Sequence, residues 1–300
     1  MATIWLPEDD WANHLTLHPA LTVVVWRSGM PVPNTADEVE FYVPEYLGPP
    51  EVHEVISKMP SLKVVQTLTA GYEHLVEVIP RGVTLCNARG VHEASTAELA
   101  VALTIASLRG IPGFVRAQDE GVWLHARHDA LADSRVLVLG AGAVGQAVID
   151  RLNAFEVEVT AVAQSARPGV RAVAELPVLL PESDVVILTV PNTTKTHAMV
   201  DAKFLQLLPD GALIVNVSRG PVVDTEALVA ELAGGRLRAA LDVTDPEPLP
   251  PDHPLWRLPN VLISPHVGGD TSAFLPRAWR LMQQQLDRFA LDEPLANIVR

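Results

Sequence analysis

From Ser134 onward, short apolar runs alternate with stretches of helical spacing. "RVLVLG" (135–140) is short, β-branched and ended by glycine, which predicts a buried strand. "AVGQAVIDRLNAF" (143–155) then carries apolar residues at helical spacing. "VEVTAV" (157–162), "DVVILTV" (184–190), "ALIVNV" (212–217), "RAALDV" (238–243) and "NVLISP" (260–265) predict further strands. Between them lie helical stretches such as "DTEALVAELAGG" (224–235), which opens on a capping aspartate and closes on glycines. Strand alternating with helix predicts a parallel, doubly wound sheet.

The earlier part has the same character with weaker punctuation. "LTVVVW" (21–26), "FYV" (41–43), "LKVVQTL" (62–68) and "VTLCN" (83–87) predict strands of a second, smaller α/β domain. "ASTAELAVALTIASLRGIPGFVRAQ" (94–118) predicts one long helix with a kink at Pro112. The final helical run begins at "FLPRAW" and is expected to return to the first domain. The expected fold is α/β with two doubly wound parallel-sheet domains. A Rossmann-type nucleotide domain (95–283) is inserted in a smaller flavodoxin-like substrate domain (1–94 and 284–300).

The strand–helix junction at 139–146 carries Gly140, Gly142 and Gly145 in the spacing G-x-G-x-x-G. The first glycine suits a tight turn, the second a close approach of backbone to a pyrophosphate, and the third close helix–strand packing. A helix N-terminus then faces the negative charge. An acid at the end of the next strand would hold a ribose 2′-hydroxyl. Here that strand ends on Ala163, Gln164 and Ser165, with Arg167 following. A hydroxyl and a guanidinium in place of a carboxylate favour NADP(H) over NAD(H).

Three more stretches end predicted strands: "NVSRGPVVD" (216–224), "ALDVTDPEPLP" (240–250) and "SPHVGG" (264–269). The C-terminal edge of a doubly wound sheet is where ligands bind, which makes Arg219, Glu247 and His266 candidates for one site. An arginine grips a carboxylate with two parallel hydrogen bonds. A histidine exchanges a proton with a carbonyl or alcohol oxygen near neutral pH. A carboxylate on its far nitrogen sets the tautomer and favours the imidazolium. With a nicotinamide cofactor carrying the hydride, the set fits reduction of a 2-oxo acid or oxidation of a 2-hydroxy acid.

Composition narrows the classes. Of 300 residues, 48% are hydrophobic, enough for two cores, and the formal charge of −14 argues against nucleic acid and anionic membrane as partners. The single cysteine, Cys86, excludes an intrachain disulfide and fits a reducing compartment. "MATIWLPEDDW" lacks the basic and apolar regions of a signal peptide, and the apolar run at 99–108 is too short to span a bilayer. A cytoplasmic location is expected.

The motifs together resemble the D-isomer-specific 2-hydroxyacid dehydrogenase family, nearest in motif to its glyoxylate/hydroxypyruvate reductase branch. The resemblance runs from "LKVVQTLTAGYEHL" through "NARGVHEASTAELAVAL", "LGAGAVG" and "SDVVILTVPNTTKT" to "LLPDGALIVNVSRGPVVDTEAL" and "ALDVTDPEPLPPDHPLWRLPNVLISPHVGG". It implies that Arg219 is the catalytic arginine, Glu247 the glutamate and His266 the acid/base histidine. It further implies that Ala70 and Gly71 hold the substrate carboxylate, with Arg219 and His266 also touching substrate, and that Asp242 positions the nicotinamide amide. The cofactor contacts expected with it are Gly140, Gly142, Ala143, Val144, Gly145, Ser165, Arg167, Val190, Pro191, Thr196, Val217, Ser218, Arg219, Asp242, His266 and Gly268. The expected partners are a small 2-oxo or 2-hydroxy acid and a second copy of the chain in a homodimer; "GVW" (121–123) resembles a segment beside the dimer contact of relatives.

Two departures stand out. The aspartate usual after the second nucleotide-domain strand is missing, and "NARG" replaces the "NxPG" of many members. His92 occupies a place where relatives often carry Asn, and reads either as a substrate-binding histidine or as a loop histidine facing solvent. The pairs His14/His18 and His125/His128 lack acidic or cysteine company, so no metal is expected. Two rival functions share this fold: a non-catalytic NAD(P) sensor, which predicts a broken Arg–Glu–His set, and a dehydrogenase of another small anion such as phosphite.

Overall fold

A computed structural model of the chain describes residues 1–8, 10–72 and 75–300, without the side chains of Asp10 and Ala12. Glu73 and His74, at the end of the "TAGYEH" stretch, lie outside the described residues. The chain divides into two compact units, 1–92 with 272–300, and 93–271.

The first unit is built on β1 (Ala2–Leu6), β2 (Leu21–Val25), β3 (Val39–Tyr42), β4 (Val64–Gln66) and β5 (Thr84–Cys86). They form one parallel sheet in the order β2-β1-β3-β4-β5, the flavodoxin-like arrangement. Side chains alternate between its faces. Ile4, Leu6, Phe41 and Val64 face one core, and Trp5, Tyr42 and Val65 face the other. β1, absent from the strands expected from sequence, is an interior strand, paired to both β2 and β3.

The second boundary falls twelve residues before the expected 284. Helix Phe274–Ala290 presents Phe274, Ala278, Leu281, Met282 and Leu286 on one stripe to the Ile4–Phe41 face, so the whole helix packs with the first unit. The chain's last residues cover the free edge of β5. The Val299 amide donates to Leu85 O at 2.8 Å, and the Leu85 amide donates to Arg300 O at 2.8 Å.

The second unit carries β6 (Arg135–Leu139), β7 (Glu158–Ala163), β8 (Val170–Ala172), β9 (Val185–Leu188), β10 (Leu213–Asn216), β11 (Arg238–Leu241) and β12 (Val261–Ile263). All pair in parallel, in the order β12-β11-β10-β9-β6-β7-β8. The strand order reverses between β6 and β9, which is the switch point where such sheets bind ligands. Helix Glu93–Leu108 lays Ala97, Ala100 and Leu103 against Val136, Val138, Val185, Ile187 and Val215.

The single long helix expected over 94–118 is two helices, Glu93–Leu108 and Ile111–Asp119, bent by 68°. Gly110 breaks the run at φ +65°, and the His128 ring lies where its Cβ would be. Pro112 falls in the first turn of the second helix, where a missing N–H costs nothing, so it starts that helix instead of kinking a longer one. Among the described residues, no single helix is long and apolar enough to cross a membrane.

Candidate active site

The glycine loop sits at the end of β6. Gly140 has φ +116°, and a Cβ there would lie 2.6 Å from Thr189 Oγ1 and 2.8 Å from the Thr189 carbonyl carbon. Thr189 Oγ1 donates to Gly140 O at 2.8 Å. A Cβ at Gly145 would fall 1.7 Å from Gly140 O. These two glycines are therefore required by packing alone. Gly142 differs: nothing lies within 4 Å of where its Cβ would be. It caps helix Ala143–Leu152 in an extended conformation, and no side chain caps that helix end. A side chain at 142 would fill the space in front of the first helical amides, so the residues fit a dinucleotide pyrophosphate held by the Gly142–Ala143–Val144 turn.

Ala163 ends β7, and residues 164–167 contain no acid. Ser165 is exposed. Arg167 begins a tight turn with Val170 and folds back, its Nη2 donating to Ala141 O at 2.7 Å. That contact places a guanidinium beside the glycine loop. After β9, Val190 and Pro191 lead into a strapped loop, in which Thr196 Oγ1 donates to Pro191 O at 2.5 Å and accepts from the Thr193 amide at 2.8 Å.

Beyond β10 the chain turns on Asn216, a residue absent from the candidates expected from sequence. Its Oδ1 accepts from the Ser218 amide at 3.0 Å and Ser218 Oγ at 2.7 Å, and its Nδ2 donates to Arg219 O at 3.1 Å. A polar side chain in the otherwise apolar "LIVN" strand is the signal that marks it. Val217 and Ser218 are buried by this turn, and Arg219 emerges half-buried, with Nη1 donating to Ser218 O at 2.7 Å.

Glu247 follows β11 and His266 follows β12, its neighbour in the sheet. The loops bring them together: His266 Nδ1 lies 2.5 Å from Glu247 Oε1. The side chains remain 45% and 40% exposed, so the ring pairs with the carboxylate yet stays open to a ligand. With Nδ1–H donating to the carboxylate, Nε2 is the nitrogen available for chemistry. Arg219 is hydrogen-bonded to neither.

Asp242, expected at the nicotinamide amide, is only 3% exposed and its carboxylate is engaged by the His266 loop. Oδ1 accepts from Ser264 Oγ at 2.7 Å and the Val267 amide at 3.0 Å, and Oδ2 accepts from the Gly268 amide at 2.9 Å.

In the first unit, the carbonyls around Ala70 and Gly71 are tied back. Asn87 Nδ2 donates to Ala70 O at 2.8 Å, and Thr69 Oγ1 donates to Gly71 O at 2.7 Å. His92 is 7% exposed, which corrects its reading as a solvent-facing loop histidine. Its Nε2–H donates to Leu68 O at 2.7 Å, and its ring stacks with Tyr46 and Phe274 at centroid distances of 5.8 and 5.2 Å. An aromatic packing site, not exposure, explains a histidine there. Among the described residues, no three His, Cys, Asp or Glu side chains gather as a metal site.

Residues 101–268 match the family model described as D-isomer specific 2-hydroxyacid dehydrogenase, NAD binding domain. The chain is 36% identical over 226 residues to the glyoxylate reductase/hydroxypyruvate reductase of Mus musculus, covering 70% of this chain and 69% of that one. It is 34% identical over 233 residues to a glyoxylate reductase of Thermofilum pendens, covering 73% and 69%. A solved D-isomer specific 2-hydroxyacid dehydrogenase from Xanthobacter autotrophicus Py2, in complex with NADPH and MES, superposes with a TM-score of 0.85 at 32% identity, covering 100% of this chain and 98% of that one. With its two parallel-sheet α/β units and its NAD(P)-binding sheet, the chain belongs to the D-isomer specific 2-hydroxyacid dehydrogenase family of oxidoreductases.

Proposed function

We propose that the chain is an NADPH-preferring reductase of small 2-oxo acids of the glyoxylate and hydroxypyruvate kind. The observation that carries this reading is the 2.5 Å contact between His266 and Glu247, on loops that follow adjacent strands. Arg219 grips the substrate carboxylate in a bidentate pair and so orients the carbonyl. His266 Nε2 donates a proton to the carbonyl oxygen as it becomes an alcohol oxygen, and Glu247, paired with Nδ1, holds the ring for that transfer. A bound nicotinamide cofactor supplies the hydride. One hydride and one proton convert the 2-oxo acid to the 2-hydroxy acid, and His266 regains its proton from solvent.

The preference for NADPH rests on the residues after β7. A 2′-phosphate brings nearly two negative charges to a loop with no carboxylate, and Arg167 already lies beside the glycine loop. A charge-assisted hydrogen bond contributes about 1.5–3 kcal/mol, so one contact from Arg167 favours NADPH by about ten-fold or more. The Xanthobacter relative was solved with NADPH. A homodimer belongs to the same reading: Trp123 is 94% exposed between exposed Val122 and Leu124, an apolar surface that a second copy would cover.

The test is a set of initial rates, followed at 340 nm, for glyoxylate, hydroxypyruvate and larger 2-oxo acids with each cofactor. Wild type should favour NADPH and the two small acids. Arg167→Ala should cost NADPH affinity while sparing NADH, and Ala163→Asp should reverse the preference. A wild-type preference for NADH, or no reduction of any 2-oxo acid, contradicts the proposal.

A further inference from the structure

His266 holds φ +53°, a left-handed conformation that a non-glycine residue keeps only where its surroundings fix it. One residue supplies most of that fixing. Before the histidine, the Ser264 amide donates to Leu241 O at 2.9 Å and Ser264 Oγ donates to Asp242 Oδ1. At the histidine, its own amide donates to Asp242 O at 2.7 Å. After it, the Val267 and Gly268 amides donate to the two Asp242 carboxylate oxygens. Gly268 closes the ring because nothing larger fits: a Cβ there would lie 2.9 Å from Asp242 Oδ2. Asp242 is buried, which strengthens each bond and makes an unmade one costly.

We propose that Ser264 and Asp242 form a backbone clamp that positions His266 for proton transfer, Ser264 being a positioning residue that acts through the histidine. The inference rests on the acid–base reading of His266. Glu247 orients the ring and the clamp orients the peptide that bears it, so the imidazole is fixed from both ends. Two of the donors to the carboxylate are backbone amides, which almost any residue would supply. The Ser264 hydroxyl is the one side chain among them, and this makes it the informative position. The clamp also gives Asp242 a role apart from the nicotinamide contact expected from sequence.

The experiment compares Ser264→Ala, Ser264→Thr and Asp242→Asn, the first also in a His266→Ala background. Three quantities are read: kcat at saturation, NADPH affinity by fluorescence, and hydrogen exchange of the Val267 and Gly268 amides. Ser264→Ala should lower kcat about ten-fold through misplacement of the imidazole, with NADPH affinity within two-fold of wild type. It should speed exchange of both amides about ten-fold, and Ser264→Thr, which keeps the hydroxyl, should recover most of the loss. In the His266→Ala background the same substitution should cost no further activity.

Unchanged kcat and amide exchange in Ser264→Ala overturns the clamp. So does an undiminished loss in the His266→Ala background, or a loss that appears only as weaker NADPH binding. Full turnover in His266→Ala alone overturns the acid–base assignment, and the clamp's role in proton transfer with it. Amide exchange then still reports whether the clamp holds the loop. Should Asp242→Asn not fold, the two serine variants decide the matter.

Discussion

His266 Nδ1 and Glu247 Oε1 lie 2.5 Å apart, nineteen residues distant in sequence, on loops that leave neighbouring parallel strands. Glu247→Gln keeps the size and an acceptor but removes the charge. A hydrogen bond to a charged group contributes about 1.5–3 kcal/mol, so kcat should fall by roughly ten- to a hundred-fold while NADPH affinity holds. Steady-state kinetics and a fluorescence titration give both numbers. An unchanged kcat would mean that the carboxylate does not support the imidazole.

Arg219→Lys keeps the positive charge and loses the planar fork, including the Nη1 bond to Ser218 O. The KM for the 2-oxo acid should rise by about ten-fold or more, with kcat lowered as well, because the guanidinium also aims the carbonyl. Normal kinetics in the lysine variant would place the substrate carboxylate elsewhere.

The fingerprint glycines should separate by cause. Alanine at 145 puts a Cβ 1.7 Å from Gly140 O, and backbone on both sides cannot give way cheaply. Overpacking of this kind costs about 1–3 kcal/mol, so the Tm should drop by several degrees without any cofactor present. Alanine at 142 meets nothing within 4 Å and should leave the Tm unchanged while weakening dinucleotide binding by about ten-fold or more. Thermal melts and NADPH titrations of the two variants should therefore give opposite patterns.

Asp184 directly precedes β9 and pairs with Arg135, the first residue of β6. The hydrogen bond from the Arg135 side chain holds the carboxyl below the usual aspartate range; partial burial opposes it, and the Arg135 amide and charge add smaller lowering effects. A lowered folded pKa gives stability that is present above the unfolded value of about 3.9 and is lost as pH falls through the folded value. Both side chains are over two-fifths exposed, so screening limits the contribution to roughly 0.5–1 kcal/mol. Asp184→Asn should lower the Tm by about 1–4 °C at pH 7, and the gap to wild type should close below about pH 4. A gap that does not change with pH would show that the ion pair is not its source.

Much of the architecture was legible because parallel strands buried on both faces read as unbroken β-branched runs ended by glycine or polar residues. The strands of the second sheet other than β8 appeared within a residue or two of their observed ends. β8 (Val170–Ala172) is three residues long, too short for any period to show. β1 is hard to read for a different reason: in "ATIWL" Ile4 and Leu6 serve one core and Trp5 the other, so with both faces buried no apolar–polar alternation marks the strand. The helix over 94–118 divided because apolar periodicity continues through Gly110, whereas the backbone does not.

In the candidate site, the strand-end positions of Arg219, Glu247 and His266 are legible from sequence, and the structure brings Glu247 and His266 into contact. The loop geometry is not legible from sequence. Nothing in "SPHVGG" announces that its serine and the Val267 and Gly268 amides converge on Asp242, because that depends on how two loops meet after folding. The burial of His92, which corrects only its solvent-facing reading, is illegible for a similar reason: it comes from Tyr46 and Phe274, which are remote in sequence.

The most direct measurement is single-turnover reduction of glyoxylate with NADPH by wild type and His266→Ala, alongside NADPH affinity. A positioned acid contributes about 10²–10⁴ in rate, so the variant should be slower by a hundred-fold or more with cofactor affinity preserved. A rate within a few-fold of wild type would contradict the assignment of His266 as the proton donor.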